Sequence, residues 1–290
     1  MSNLGIFVNR QTLSNANQLT SLIRCRDVAE KLKHSVDFIF PVDMHKIVHL
    51  DALFIRARTD PMNVTYIASK IAELHTIPVI DDSQSIKICS DKINMYSRLM
   101  SNNISIPKTV FLSKTELTTE RITRLFEDLG TPLILKEPST SFSVRVEKVE
   151  SVQQFLQIAR RFIKLSDWIV VQQYVESTYD WRIGTLNGKF LYACKYIIPT
   201  ESFKIHAQVN GHIVYCGVES VPEDNVPKDI IRIGLKASGA IGHGLYGVDI
   251  KRNGNKLYVI EVNDNPSIES GEDTYYPDTF KDIINYLLRK

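Results

Sequence analysis

Two carboxylates and an amide near the C-terminus stand where a metal would find hard oxygen ligands. In the stretch LYGVDIKRNGNKLYVIEVNDNPSIE (245–269), two apolar runs flank a polar Asn253-Gly254 pair, the signal for a β-hairpin. Alternation along the second strand puts Leu257, Val259, Glu261 and Asn263 on one face, and Tyr258, Ile260 and Val262 on the other. A strand apolar on both faces is buried, so a carboxylate and an amide at its end need partners. Asp249 supplies a second carboxylate from the first strand. A three-residue loop, Asn253 to Asn255, pairs 249 with 259 and brings Asp249 to the face of Glu261. A two-residue Asn253-Gly254 turn puts it on the opposite face, barring a bulge. We expect the three-residue loop, because Asn255 tolerates the left-handed conformation and one cation needs all three ligands together. Asp249, Glu261 and Asn263 then form an oxygen set suited to Mg²⁺ that keeps waters and phosphate oxygens. Two merely exposed carboxylates are the plainer reading, and their place on buried strands weighs against it.

Cationic residues supply the complementary charge. Ser90 reads as the cap of a helix running to about Asn102, with Lys92 in its first turn, where the helix dipole disfavours a cation. Such a lysine is either solvated or has a task elsewhere. Lys136 ends the apolar strand PLILK, and a buried ammonium there calls for an anionic partner. Asn187-Gly188 is a favoured two-residue turn that pairs Leu186 with Lys189. Counting back, Arg182 faces Ala193 and Asp180 faces Lys195, so Asp180, Arg182 and Lys195 converge on one face. The other face carries Trp181, Ile183, Phe190, Tyr192, Cys194 and Tyr196. A structural Asp180–Lys195 ion pair is the alternative to a charged active surface.

The elements that must hold these residues fall into three groups. Short β-rich runs at 4–9, 36–40, 51–58 and 77–81 alternate with helical stretches such as 62–75, which argues a parallel α/β domain over 1–88. Arg56 and Arg58 end its third strand, where such sheets place ligands, although solvated arginines on a loop fit equally well. Strand pairs follow: 132–136, 144–149, 168–175, 181–186, 189–198, 245–251 and 256–263. Helices are expected at about 114–129, 151–164 and 226–241 and after Pro277. The divisions drawn are 1–88, 89–176 and 177–290, an α/β domain followed by two α+β lobes.

Composition narrows the partners. A net charge of +2 over 290 residues offers no global attraction to nucleic acid, so an anion site must be local. No apolar run approaches the roughly 18 residues of a membrane span. MSNLGIFVNR lacks the features of a signal peptide. Cys25, Cys89, Cys194 and Cys216 show no zinc or disulfide spacing and read as cytoplasmic thiols.

GVDI followed by Glu-Val-Asn resembles the metal-binding signature of ATP-grasp ligases of the RimK-like and glutathione-synthetase type. FIRARTDPMNVTYIASKIAE, IPVIDDSQSIKICSDK, YDWRIGTLNGKFLYACKY and GLYGVDI…VIEVNDNPSIESGED extend the likeness over nearly the whole chain. They look like the ATP-grasp part of larger bacterial RimK-like proteins that carry an additional N-terminal module. The resemblance implies an ATP-grasp fold: an N-terminal parallel α/β (pre-ATP-grasp) domain and two β-rich lobes holding ATP between them. It also implies Mg²⁺, with Mn²⁺ as an alternative.

The same resemblance implies roles. Lys92 and Lys136 would reach the phosphates, Gln172, Gln173, Tyr174 and Val175 would read adenine, and Asp180 and Lys195 would approach the nucleotide. Arg182 and Lys195 are the candidates for steadying an acylphosphate. Lys204 and His206 are placed on the acceptor side, or else on a loop of exposed residues, and Arg56, Asn265 and Ser267 are further substrate candidates. The implied reaction joins a carboxylate to an amine on an amino acid or peptide. A small-molecule kinase or a nucleotide-binding scaffold is the alternative, and homo-oligomerisation stays open. One departure is the loop after Lys136, which runs Pro138-Ser-Thr-Ser-Phe-Ser-Val-Arg145 without the glycine that lets backbone approach phosphate closely.

Overall fold

The computed structural model describes residues 1–140, 144–200, 202–204, 206–209, 212–215 and 217–288, with the side chains of 206–209 and 212–215 left outside that description. The side chain of His206, Cys216 and the Ser141–Ser143 centre of the glycine-free loop therefore lie outside the described residues.

The first sheet is parallel and four-stranded. It is built from β1 (Asn3–Phe7), β2 (Ser35–Ile39), β3 (Ala52–Ile55) and β4 (Val79–Ile80), in the order β2-β1-β3-β4. Helices α1 (Arg10–Ser14), α2 (Ala16–Lys31), α3 (Val64–Leu74) and α4 (Ser83–Cys89) connect and cover it. Alternate residues of its central strands serve two cores, as expected for a parallel sheet buried on both faces. Leu4, Ile6, Ala52 and Phe54 pack with Leu22 and Ala29 of α2, while Phe7, Leu53 and Ile55 pack with Ala68 and Ala72 of α3.

The chain then enters α5 (Lys92–Ser101). Its N-cap is Asp91, whose carboxylate accepts from the Asn94 amide, and not Ser90, which closes α4. An aspartate outranks the expected serine here because its charge also suits the helix dipole. β5 (Thr109–Ser113), α6 (Thr119–Leu129), β6 (Leu133–Lys136), β7 (Val146–Val149), α7 (Val152–Phe162) and β8 (Trp168–Gln173) follow. They form an antiparallel sheet ordered β5-β8-β6-β7, with α6 and α7 burying Ile122, Leu125, Phe155 and Phe162 against it.

The third sheet contains β9 (Tyr179–Leu186), β10 (Lys189–Ile197), β13 (Gly217–Ser220), β14 (Leu245–Asn253) and β15 (Lys256–Asn263), in the order β13-β10-β9-β14-β15. The short ribbon β11 (His206–Val209) and β12 (His212–Tyr215) branches from it, and α8 (Lys228–Ile241) crosses one face. Trp181, Ile183, Ala193, Val248 and Ile250 meet Ile230, Ala237 and Ile241 of α8 in one core. α9 (Thr279–Leu287) returns to the first sheet, where Phe280, Ile283 and Leu287 join its core. Among the described residues, no helix is long and apolar enough to cross a membrane.

Both hairpins of this sheet depart from the expected register, each at a bulge. Asn187 and Gly188 take the left-handed conformations of a two-residue turn, and Leu186 pairs with Lys189 as expected. A bulge at Leu191 then shifts the strand by one, so that Arg182 faces Cys194, Asp180 faces Tyr196 and Lys195 faces Trp181. A one-residue shift exchanges the faces, and it removes Lys195 from the side of Asp180 and Arg182. Leu191 itself packs into the core shared with the first sheet. In the other hairpin the three-residue loop does not form. Gly254 and Asn255 make a two-residue turn, with Gly254 at φ +56° and Asn253 pairing with Lys256. That register alone would separate Asp249 from Glu261, but a bulge at Ile260 pairs them directly.

Candidate active site

The polar face of the third sheet, the end of the second sheet and α5 enclose a cleft of about 730 Å³, measured to its open mouth. Lys92 and Lys136 enter it from α5 and β6, and both are buried. The Lys92 ammonium donates to the Thr140 carbonyl and lies 3.6 Å from Glu261 Oε1. Lys136 Nζ donates to the Tyr96 hydroxyl at 2.8 Å. Burial pushes the Lys136 ammonium down to about 8, against the opposing pull of Glu261, Asp180 and Asp249. Tyr96 sits one helical turn beyond Lys92 and also donates to the Ile260 carbonyl at 2.6 Å, tying α5 to the bulge.

Across the cleft, Asp249 accepts two hydrogen bonds from Arg182, Nε to Oδ1 at 2.5 Å and Nη2 to Oδ2 at 2.9 Å. Asn263 Nδ2 lies 3.2 Å from Asp249 Oδ2. Burial raises the Asp249 carboxyl, with Arg182 opposing. Burial alone would lower Arg182, but the Asp249 carboxylate outweighs it and holds the guanidinium well above its ordinary range. Next along the sheet, Lys251 Nζ donates to Asp180 Oδ1 at 2.6 Å, and both side chains line the cleft. Burial raises Asp180 despite that partner.

The segment Gln172 to Val175 leads from β8 into the third sheet and borders the cleft. Gln172 donates to Thr109 Oγ1 at 2.9 Å, and the Lys148 ammonium lies 4.8 Å from the Tyr174 ring centre. Phe203 and Lys204 close the far wall, where burial lowers the Lys204 ammonium.

Other candidates fall outside the cleft. Lys195 stacks over Tyr179 and Trp181 and lies 3.5 Å from Glu219. Arg56 donates to Asn265 Oδ1 at 2.5 Å, the Pro266 carbonyl at 3.1 Å and Glu269 at 3.2 Å. Asn265 donates back to the Ala57 carbonyl at 2.8 Å, and the Ser267 carbonyl accepts from Tyr192. Arg56 and Asn265 therefore join the first sheet to the loop after β15.

The donor set fits the ligands inferred from sequence. Among the described residues no three His, Cys, Asp or Glu side chains converge. Asp249 and Glu261 are paired across β14 and β15, and with Asn263 they would give a cation part of its oxygen shell, the rest coming from phosphates and water. Lys136 donates to the Tyr96 hydroxyl and, among the described residues, meets no carboxylate in salt-bridge range, so an entering anion would relieve its buried charge. Lys251 and Tyr96 were the functional side chains missed from sequence. Lys251 stands two residues beyond Asp249 on a strand, and Tyr96 four beyond Lys92 on a helix, so simple periodicity marks both.

A cleft between two antiparallel sheets, with paired lysines facing two carboxylates and an amide, is the arrangement of the ATP-grasp carbon–nitrogen ligase class. Residues 89–287 match the family described as a RimK-like ATP-grasp domain, and the chain belongs to that family. A probable alpha-L-glutamate ligase 2 of Pseudoalteromonas atlantica is 23% identical over 295 residues, spanning 96% of this chain and 94% of that protein. The glutamate–LysW ligase ArgX of Sulfolobus acidocaldarius is 24% identical over 226 residues, 76% of each chain. The D-alanine–D-alanine ligase from Bacillus anthracis, solved in complex with ATP, shares the fold with a TM-score of 0.73 at 17% identity, covering 100% of this chain and 98% of its own. A RimK-domain ATP-grasp protein from Sphaerobacter thermophilus has a TM-score of 0.72 at 14% identity, covering 99% of this chain and 100% of its own.

Proposed function

We propose that this protein is a cytoplasmic ligase that joins the carboxylate of one amino acid or peptide to the amine of another, consuming ATP and releasing ADP and phosphate. The observation that carries the reading is the opposition of Lys92 and Lys136 to Asp249 and Glu261 across one cleft, with Asn263 hydrogen-bonded to Asp249. In this reading Gln172 to Val175 border the base, Asp180 and Lys251 lie beside the sugar, and the two lysines hold the phosphates. Asp249, Glu261 and Asn263 would hold Mg²⁺, which when bound neutralises charge on the transferring phosphoryl group. The substrate carboxylate attacks the γ-phosphorus as the bond to ADP breaks. The amine nitrogen then attacks the acyl carbon, and phosphate leaves as the amide forms. Arg182 steadies the negative charge that develops on the acyl group. Lys195 has no part in this, because it lies on the opposite face of β10.

The test is phosphate release with pooled amino acids, glutamate first because the relatives above are named for it, followed by product mass. An ATP-dependent amide product is expected. Glu261→Gln should fold normally and turn over less than about one-hundredth as fast, since it keeps the shape but removes a ligand charge. A stable phosphorylated product with no amide, or undiminished turnover by Glu261→Gln, would overturn the assignment.

A further inference from the structure

Arg182 is held from two sides, and the second side has no partner in the reaction described above. Asp249 grips Nε and Nη2 on the cleft side. Behind it, the guanidinium carbon lies 4.9 Å from the centre of the Tyr196 ring, within cation–π range. The β10 bulge creates this arrangement, since the expected register would have sent Tyr196 to the opposite face. The ring is held in turn, because its hydroxyl donates to Glu272 Oε1 at 3.2 Å. Glu272 is 1% exposed, with its other oxygen accepting from the Ser270 amide at 2.7 Å and its carbonyl accepting from Ser220 Oγ at 3.0 Å.

A carboxylate buried so deeply on a phenol and an amide is costly unless it answers a nearby positive charge. Arg182 supplies that charge, with the Tyr196 ring between. Burial raises the Glu272 carboxyl, opposed first by the Glu272 and Ser270 backbone amides and more weakly by Arg182. Asp249 is itself a candidate metal ligand, so its hold on Arg182 is shared once a cation binds. Tyr196 and Glu272 stand on the far side of the guanidinium from that event.

Resting on the ligase reading, we infer that Tyr196 and Glu272 are positioning residues that keep Arg182 aimed at the reacting acyl group while Asp249 is engaged by metal. The loop carrying Glu272 is the one tied to the first sheet and its helix α2 by Arg56 and by the Arg24–Asp273 pair, so the brace rests on the first domain.

The test follows the Arg182 Nε–H resonance in the ¹⁵N-labelled full chain, assigned by its disappearance in Arg182→Lys, with and without ADP and Mg²⁺. Amide formation is measured beside it for wild type, Tyr196→Phe and Tyr196→Leu. With ADP and Mg²⁺ present, wild type should keep a sharp resonance, Tyr196→Phe a broadened one and Tyr196→Leu none. kcat should fall in the same order, by about 100-fold in Tyr196→Leu, the loss that a misplacement of about 1 Å brings, with KM for ATP within about twofold. A purely structural tyrosine would lower thermal stability and leave the resonance and kcat of the folded protein unchanged, which would overturn the inference. Should Tyr196→Leu not fold, Tyr196→Phe decides the matter, because it removes only the tie to Glu272. Should wild type form no amide, the ligase reading fails by itself, and the resonance still reports whether Tyr196 holds Arg182.

Discussion

Lys136 makes a quantitative prediction, because its charge is buried with, among the described residues, no carboxylate in hydrogen-bond contact. Burial lowers its ammonium from 10.5 to about 8. At about 1.4 kcal/mol per pH unit, keeping it charged costs the free folded protein on the order of 3 kcal/mol below pH 8. The folded state binds fewer protons than the unfolded chain between about pH 8 and pH 10.5, so this penalty shrinks as pH rises through that window. Lys136→Met should therefore stabilise the free protein at about pH 7, by up to about 3 kcal/mol, and lose that advantage near pH 10.5. Nucleotide binding should act oppositely, since a phosphate beside Lys136 restores the ammonium. Wild type should take up protons on binding ADP and Mg²⁺ near pH 8, and its affinity should fall above that pH by up to about tenfold per unit.

Isothermal titration in buffers of different ionisation enthalpy measures the uptake, and Lys136→Met subtracts the protons belonging to the nucleotide itself. Urea unfolding of both proteins between about pH 7 and pH 10 measures the stability difference. Equal proton uptake by wild type and Lys136→Met, or a stability difference that does not vary with pH, would show that Lys136 does not meet phosphate as a strained, buried cation.

Two further substitutions probe the opposite wall. A Cβ on Gly247 would lie 2.7 Å from Pro266 Cβ and 2.9 Å from Arg182 Cδ and Nη1. Gly247→Ala should thus cost about 1–3 kcal/mol in urea unfolding and lower kcat by displacing Arg182, whereas a neutral result would show that the guanidinium has room to move. Lys251→Met leaves Asp180 buried and unpaired, which should cost about 3 kcal/mol or more and weaken nucleotide binding. The stability deficit should shrink as pH falls towards the ordinary carboxylate range, where Asp180 is protonated in both folded and unfolded states, and urea titrations across that range check it.

Much of this architecture is written in local pattern. The buried strands of the first sheet and the amphipathic helices α6 to α9 follow from periodicity alone, within a few residues at their ends. Alternation also places Glu261 and Asn263 together on β15. What sequence does not show is where a ladder slips. Asn187-Gly188 identifies its turn correctly, yet the bulge at Leu191, four residues on, moves Lys195 off the active face. In β14–β15 two departures cancel: a two-residue turn at Gly254-Asn255 replaces the expected three-residue loop, and Ile260 bulges, so Asp249 still meets Glu261. Leu191 bulges towards a core shared with the first sheet, and the Ile260 carbonyl is held by Tyr96 of α5. Both causes are long-range contacts. Arg56 follows the same logic, since a strand-end arginine looks like a ligand contact until the loop after β15 is seen to occupy it.

The charges lining the cleft explain why a polyanion is the ligand that completes it. Arg182 is matched by Asp249 and Lys251 by Asp180, each at 2.5–2.6 Å in surroundings dry enough for the pairing to be strong. Lys92 stands farther off, 3.6 Å from Glu261, while Lys136 and Lys204 face the cleft with their ammonium groups lowered by burial. The tight pairs fix the floor, and the loosely matched cations line the walls. A neutral ligand would leave Lys136 and Lys204 desolvated and gain nothing from them. A divalent cation alone would give the loosely paired Glu261 a partner and share Asp249 with Arg182, while worsening the excess of positive charge. A nucleoside triphosphate entering with its metal relieves both conditions together, because its phosphates answer the lysines and its cation answers the carboxylates.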